Sequence, residues 1–119
     1  MKKYIILIPI YNDRESLTKL IEDINSEIEG VNSKISVVVI NDASSQQITD
    51  EYQNTGNISS IEIINMKENR GHARCIASGL KYIYEKKEFD YVIPMDGDGE
   101  DRPEEIKNFI LLAEQSNNQ

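Results

Sequence analysis

The chain has 119 residues, 39% hydrophobic and 29% charged, with a formal net charge of −8 at pH 7. That describes one soluble globular domain, long enough for a single core and too short for two. The acidity argues against nucleic acid or an anionic membrane as a partner, because counterion release needs Lys and Arg clusters that this sequence lacks. Cys75 is the single cysteine, so no internal disulfide can form. The longest apolar stretch, Tyr4 to Ile10, is far below the ~20 residues that span a bilayer. It follows only Met1-Lys2-Lys3 and has no small-residue cleavage site, so the expected location is cytoplasmic.

In chain order, strand and helix signals alternate with short connections. Ile5-Ile6-Leu7-Ile8 is a β-branched-rich run that predicts a buried parallel strand stopping at Pro9. Asn12 with Glu15 resembles a capping box opening a helix that carries Leu17, Leu20, Ile21, Ile24 and Ile28, and Gly30 ends it. Ile35 to Ile40 predicts a second buried strand, broken by Asn41-Asp42-Ala43-Ser44-Ser45. A weakly patterned short helix follows around Gln46 to Gln53. Ile61 to Met66 reads as a strand nearer a sheet edge. Ala73, Ile76, Ala77, Leu80 and Ile83 mark a helix beginning just after Gly71, with Cys75 off its apolar stripe. Tyr91 to Met95 is the fourth strand, and a last helix starts between Asp101 and Glu104. Repeated β-α units predict an α/β fold, a mainly parallel sheet in three α/β/α layers with right-handed crossovers. Residues 1–115 are expected to form the domain, with 116–119 a polar tail.

The segment Tyr91-Val92-Ile93-Pro94-Met95-Asp96-Gly97-Asp98-Gly99-Glu100-Asp101 carries the most chemical information. An apolar strand runs into four carboxylates with no basic residue among them, and like charges so crowded repel unless a hard cation or a proton neutralises them. The polar corners Tyr11-Asn12-Asp13 and Asn41-Asp42-Ala43-Ser44 follow other strands, and in a doubly wound sheet such corners share one edge and one ligand. A further corner, Lys67-Glu68-Asn69-Arg70-Gly71-His72, opens a helix whose N–H groups, with Arg70 and Gly71, are placed to approach a phosphate.

Plainer readings stand beside these. Asn12 and Asp101 are ordinary N-cap types, Asp42 could merely start a turn, and Arg70 and His72 are commonly solvated surface groups. Cys75 reads as a structural thiol, because nothing nearby in sequence lowers its pKa. Tyr82 and Tyr84 read as helix-surface or packing residues. Rival motifs fail on spacing. An EF-hand loop from Asp96 would need Gly at Asp101 and Glu at Lys107. The first strand-helix turn lacks any glycine, no GxxxxGK[ST] segment exists, and one Cys with one His makes no zinc site.

Taken jointly, the corners resemble family 2 glycosyltransferases of the GT-A fold. Ile8-Pro9-Ile10-Tyr11-Asn12-Asp13 with Leu17 is similar to the P-x-Y-N-[ED]…L opening of that family, and Val39 to Ser45 to its V-x-D-D-G-S segment. Asn69-Arg70-Gly71 with Ala73, Ala77 and Gly79 resembles its N-x-G…A…G helix. Asp96-Gly97-Asp98-Gly99-Glu100-Asp101-Arg102-Pro103-Glu104-Glu105-Ile106 resembles the D-x-D-x-Q-D-x-P-E-x-I stretch of the dolichyl- and polyprenyl-phosphate sugar synthase branch.

The resemblance implies a Rossmann-like nucleotide-binding half and a nucleoside-diphosphate sugar donor. It assigns donor contacts to Pro9, Tyr11, Asn12, Asp42, Arg70, Gly71, Asp96, Gly97 and Asp98. Tyr11 would line the base pocket, Asp42 would hydrogen-bond the base and Asp96 would hold the ribose or sugar. Mg²⁺ or Mn²⁺ would be held by Asp98, with Asp96 and Glu100 beside it. The implied reaction is transfer to a lipid-phosphate or glycan acceptor with inversion. Asn41 departs from the family's first Asp, Glu100 from its Gln and Arg102 from its Pro.

Family catalytic domains run to roughly twice this length, above the ~100–150 residue mode for domains. The acceptor-binding half that supplies the general base has no counterpart here, so no catalytic residue is assigned. A truncated chain, a homo-oligomer or other partner completing the site, or a degenerate binding protein each fits that shortfall, and the full-length parent would be membrane-peripheral. Two other readings compete: a receiver-like Mg²⁺-binding signalling module, which would want its acidic pair after the first strand, and a GT-A-like nucleotidyltransferase, which would want a glycine-rich basic loop there.

Overall fold

A computed structural model describes residues 2–42, 56–69, 71–95 and 103–116. The elements are β1 (Lys3–Ile10), α1 (Arg14–Glu27), β2 (Lys34–Asn41), β3 (Ser60–Asn65), α2 (His72–Lys86), β4 (Tyr91–Pro94) and α3 (Glu104–Ser116). The four strands form one sheet in the order β3-β2-β1-β4, and every pairing is parallel. The central pair β1 and β2 is apolar on both sides, as a strand covered by helices on two faces must be. β3 lies at one edge, as its partial alternation predicts.

Period-2 alternation divides the side chains between two cores. Tyr4, Ile6, Ile8 and Ile10 of β1 and Ile35, Val37 and Val39 of β2 pack with Leu17, Ile21 and Ile24 of α1 and Ile106 and Ile110 of α3. The opposite parity, Ile5, Leu7, Val38 and Ile40, packs under Cys75 and Ile83 of α2. Helices on both faces make this a three-layer α/β/α fold.

Three local expectations are corrected. β1 does not stop at Pro9 but continues to Ile10. Pro9 shares the parity of Leu7, whose carbonyl accepts from the Met95 N–H at 2.8 Å, so the N–H that proline lacks would face the side where β4 has already ended. The N-cap of α1 is Asp13, not Asn12: Asp13 Oδ1 accepts from the Ser16 N–H at 3.3 Å, while Asn12 has a φ of 51°. Asn tolerates that left-handed conformation, and the sharp reversal it makes delays helix entry by one residue.

The third correction concerns α2. Ala73, Ala77 and Leu80 are exposed, and the inward stripe is Cys75, Gly79 and Ile83. A Cβ at Gly79 would sit 2.6 Å from Leu7 Cδ1 and 3.1 Å from Ile40 Cγ1. The bare backbone at Gly79 lets α2 press onto the sheet, and this close approach selects the buried face in place of the alanines. The short helix expected near Gln46 to Gln53 lies outside the described residues.

Candidate functional site

The carboxyl edge of the sheet collects the first two polar corners. β1 delivers Pro9, Ile10 and Tyr11, and β2 delivers Asn41 and Asp42, held in register by the Asp42 N–H donating to the Ile10 carbonyl at 2.8 Å. Asp42 continues the parity of Val38 and Ile40, so its side chain turns toward α2. Asn41 continues the parity of Val37 and Val39, turns the other way, and donates from Nδ2 to Oδ1 of its register partner Asn65 at 2.8 Å. Alternation alone separates these adjacent residues into different surroundings.

Asp42 is only 4% exposed, and a carboxylate so buried requires donors. The Gly71 N–H supplies one at 2.9 Å from Oδ2, and it also lies 3.1 Å from Asn69 Oδ1. Gly71 has a φ of 85°, in the region L side chains disfavour, and this conformation turns its N–H back onto Asp42 as the chain enters α2. The Cys75 thiol, one turn along α2, lines the same cleft, and burial first, then the neighbouring Asp42, pushes it up to about 12.

Pro9, Ile10, Tyr11, Asp42 and Cys75 line a cleft of about 80 Å³. Tyr11 is 53% exposed at its mouth, an aromatic face open to solvent beside a buried carboxylate. An acceptor-only carboxylate and a flat ring in one cleft suit a planar group bearing N–H donors.

Of the residues expected to bind the donor, the structure brings Pro9, Tyr11 and Asp42 around this cleft and ties Gly71 to Asp42. Asn12 is exposed and does not line the cleft. Because the Gly71 N–H is engaged, any anion at the start of α2 would meet the N–H groups after it; no side chain caps that helix. Arg70, Asp96, Gly97, Asp98 and Glu100 lie outside the described residues. Among the described residues, no group of three His, Cys, Asp or Glu side chains is placed to hold a metal ion. Among them also, no helix is long and apolar enough to cross a membrane.

Two contacts at this edge of the sheet escape a reading of the sequence. Cys75 lines the cleft; the signal for it is the i, i+4, i+8 spacing of Cys75, Gly79 and Ile83, legible once Gly79 is taken as an inward position. Asn65 partners Asn41 only because β3 pairs in register with β2, which local pattern does not reveal.

Parallel strands, helices on both faces and a cleft holding a buried carboxylate at the carboxyl edge define a Rossmann-like α/β half of the GT-A type. The sequence matches the profile of Glycosyl transferase family 2 over residues 5–119, and the chain belongs to that family. It is 31% identical over 110 residues to an undecaprenyl-phosphate 4-deoxy-4-formamido-L-arabinose transferase of Pseudomonas syringae pv. syringae (strain B728a), covering 92% of this chain and 32% of that protein. A protein of the same description from Proteus mirabilis (strain HI4320) is 26% identical over 115 residues, covering 97% of this chain and 35% of its own length. An uncharacterised protein of Methanocaldococcus jannaschii is 25% identical over 116 residues, covering 95% of this chain and 48% of that protein. The chain thus spans about a third to a half of the length of these relatives.

Proposed function

We propose that this chain is the donor-binding portion of a glycosyltransferase that moves a sugar from a nucleoside diphosphate to a lipid-phosphate or glycan acceptor. The observation that carries the reading is the buried Asp42 carboxylate, held by the Gly71 N–H at 2.9 Å in the wall of a cleft edged by Tyr11. In this reading Tyr11 stacks on the nucleobase and Asp42 accepts a hydrogen bond from its edge. The cleft is too small for a whole nucleotide sugar, so the diphosphate and sugar extend from it toward the residues that follow β4. Acceptor identity follows the relatives whose descriptions name undecaprenyl phosphate.

The described residues supply no metal site, so the metal reading rests on the donor chemistry of Asp96, Asp98 and Glu100. All three offer hard carboxylate oxygens, the ligand type Mg²⁺ and Mn²⁺ take. The sequence enters this segment directly from Met95, which is anchored to Leu7 beside the strand that delivers Tyr11. A divalent ion bound there supplies charge neutralisation for a departing nucleoside diphosphate. The chain contributes donor binding and orientation; no residue in it is assigned as general base, and transfer by the chain alone is expected to be slight or nil.

Calorimetric titration with UDP, GDP and CDP, with and without Mn²⁺, tests the reading. The expected result is binding of one nucleotide that Mn²⁺ strengthens, with the Mn²⁺ effect abolished in Asp98→Asn. Unchanged metal-stimulated affinity in that variant would overturn the metal assignment, and no binding of any of the three would overturn the function.

A further inference from the structure

Two helices cover one face of the sheet, and among the described residues α2 alone covers the other, so its outer side is the crest of that face. Behind the buried stripe of Cys75, Gly79 and Ile83, the helix turns Ala73, Ala77, Leu80 and Tyr84 to solvent at i, i+4, i+7 and i+11. Leu80 is 40% exposed and Tyr84 79%. Arg74 and Lys81, two turns apart and both exposed, border this apolar stripe.

The net charge of −8 argues against an anionic partner only where charge is evenly spread, and here it is not. α2 holds three basic residues against one acidic, whereas α1 holds two against four and α3 one against three. α3 also exposes Phe109, Leu111 and Leu112, but on an acidic helix. Among the three described helices, only α2 combines an exposed apolar stripe with positive charge. Such a helix lies in the plane of a membrane interface, where apolar burial and attraction to anionic lipid add together. Long Arg and Lys stems let the charge reach phosphates while the aliphatic part stays on the apolar surface, and a tyrosine ring suits headgroup depth.

We propose that the outer face of α2 docks on an anionic lipid bilayer: the helix lies in the membrane plane, Leu80 and Tyr84 enter between headgroups, and Arg74 and Lys81 meet lipid phosphates. Two large apolar side chains are too few for stable anchoring, so the contact is reversible and sensitive to salt. None of these four residues lines the cleft. Gly71, the N-cap of α2, is nevertheless tied to Asp42, so a bilayer along the helix has the cleft beside the helix start. That consequence alone rests on the donor-binding reading, for which it brings a lipid-phosphate acceptor toward the donor.

Co-sedimentation of the chain with vesicles tests the surface. Vesicles of equal parts phosphatidylcholine and phosphatidylglycerol should bring the chain down, and pure phosphatidylcholine should not. Salt at about 1 M, where the Debye length is ~3 Å, should release it. Arg74→Gln with Lys81→Gln should weaken binding about twentyfold, from about fivefold for each charge. Leu80→Ser with Tyr84→Ser should weaken it at least about tenfold. All four positions are exposed, so the variants should fold, which thermal unfolding checks. Lys107→Gln and Leu111→Ser, exposed on α3, should bind as the wild type does. No binding by the wild type, equal binding to pure phosphatidylcholine, or equal losses from the α3 changes would overturn the proposal. A dimer in sedimentation equilibrium that Leu80→Ser dissociates, with vesicle binding absent, would overturn it too, because the stripe would then serve a second copy. Nucleotide titration is independent of each of these outcomes, so the donor-binding reading stands or fails separately.

Discussion

The two faces of the sheet are fastened by different physics. Under α1 and α3 the contact is a broad apolar core running from Tyr4 to Ile10 along β1 and from Leu17 to Ile24 along α1. Under α2 the fully buried apolar set is much smaller, Ile5, Leu7, Val38, Ile40, Cys75 and Ile83, and polar links supplement it. Asp42 holds Gly71 at one end of α2, and Glu62 holds Tyr82 and Lys87 at the other. The larger face is held mainly by burial, with a polar link where the Tyr4 hydroxyl donates to Glu114 of α3 at 2.9 Å. On the smaller face, the groups that dock the helix also shape the cleft, so docking and binding are coupled there.

The comparison breaks most sharply in the larger core. Ile21 is fully buried between α1 and the sheet, and Ile21→Ala should cost about 4 kcal/mol through lost transfer energy plus the cavity left behind. Urea unfolding reads that loss. Nucleotide affinity of the folded fraction should not move, because Ile21 lies on the far side of the sheet from Asp42. A change in affinity as large as the change in stability would mean that the faces are not independent.

Gly79→Ala tests the smaller face. The new methyl would meet Leu7 and Ile40, both buried, and overpacking of this kind costs about 1–3 kcal/mol against a helix-propensity gain of about 1. A net loss of up to about 2 kcal/mol is expected, with weakened nucleotide binding, because lifting α2 draws Gly71 off Asp42. Ser78→Ala, one residue along on the exposed face, should instead gain a few tenths of a kcal/mol. Equal effects at the two positions would remove the close approach as the reason α2 buries the face it does.

Cys75→Ala follows in size, at about 1 kcal/mol near neutral pH for a buried sulfur lost from the core under α2. The wild-type thiol adds a slope of known sign. Burial and then Asp42 raise it from 9.0 to about 12, so the folded state favours the neutral thiol. A raised acid contributes stability that is complete below its unfolded value and fades as pH climbs toward the folded one. Stability of the wild type should therefore fall between about 9 and 12, and the Ala variant should lose that part of the slope, read by thermal unfolding across the range.

The sequence carried the strands plainly, because β1 and β2 are buried on both faces and read as continuous apolar runs. It carried the edge position of β3 through its broken pattern. It misplaced what depends on another element. The end of β1 depends on where β4 stops, the N-cap depends on a reversal at Asn12, and the buried face of α2 depends on Gly79 fitting over Leu7. Of the site, Pro9, Tyr11, Asp42 and Gly71 stood out by motif, whereas Cys75 did not, since its place in the cleft exists only once Asp42 faces α2. The Asp96 to Glu100 corner, the most informative stretch of the sequence, lies outside the described residues.

The smallest effect belongs to the far end of α2. Burial pushes the Glu62 carboxyl up, but the Lys87 ammonium 2.8 Å away and a hydrogen bond from Tyr82 outweigh it and hold the group below 4.5. A lowered acid contributes stability that is complete above its unfolded value and lost as pH falls through the folded one. Tyr82 and Lys87 are both raised, chiefly by Glu62, from 10.0 and 10.5, so their share is complete below those values and lost as pH rises. The cluster should thus hold α2 fully between about pH 4.5 and 10. With both partners about a third exposed, screening limits the ion pair to under about 1 kcal/mol. Glu62→Gln should flatten the acid limb of the stability curve below pH 4.5 while leaving nucleotide affinity at neutral pH within about twofold, because the pair sits at the end of α2 remote from Gly71. A larger loss of affinity would show that α2 transmits its docking along its whole length and that the cleft is set by both of its ends.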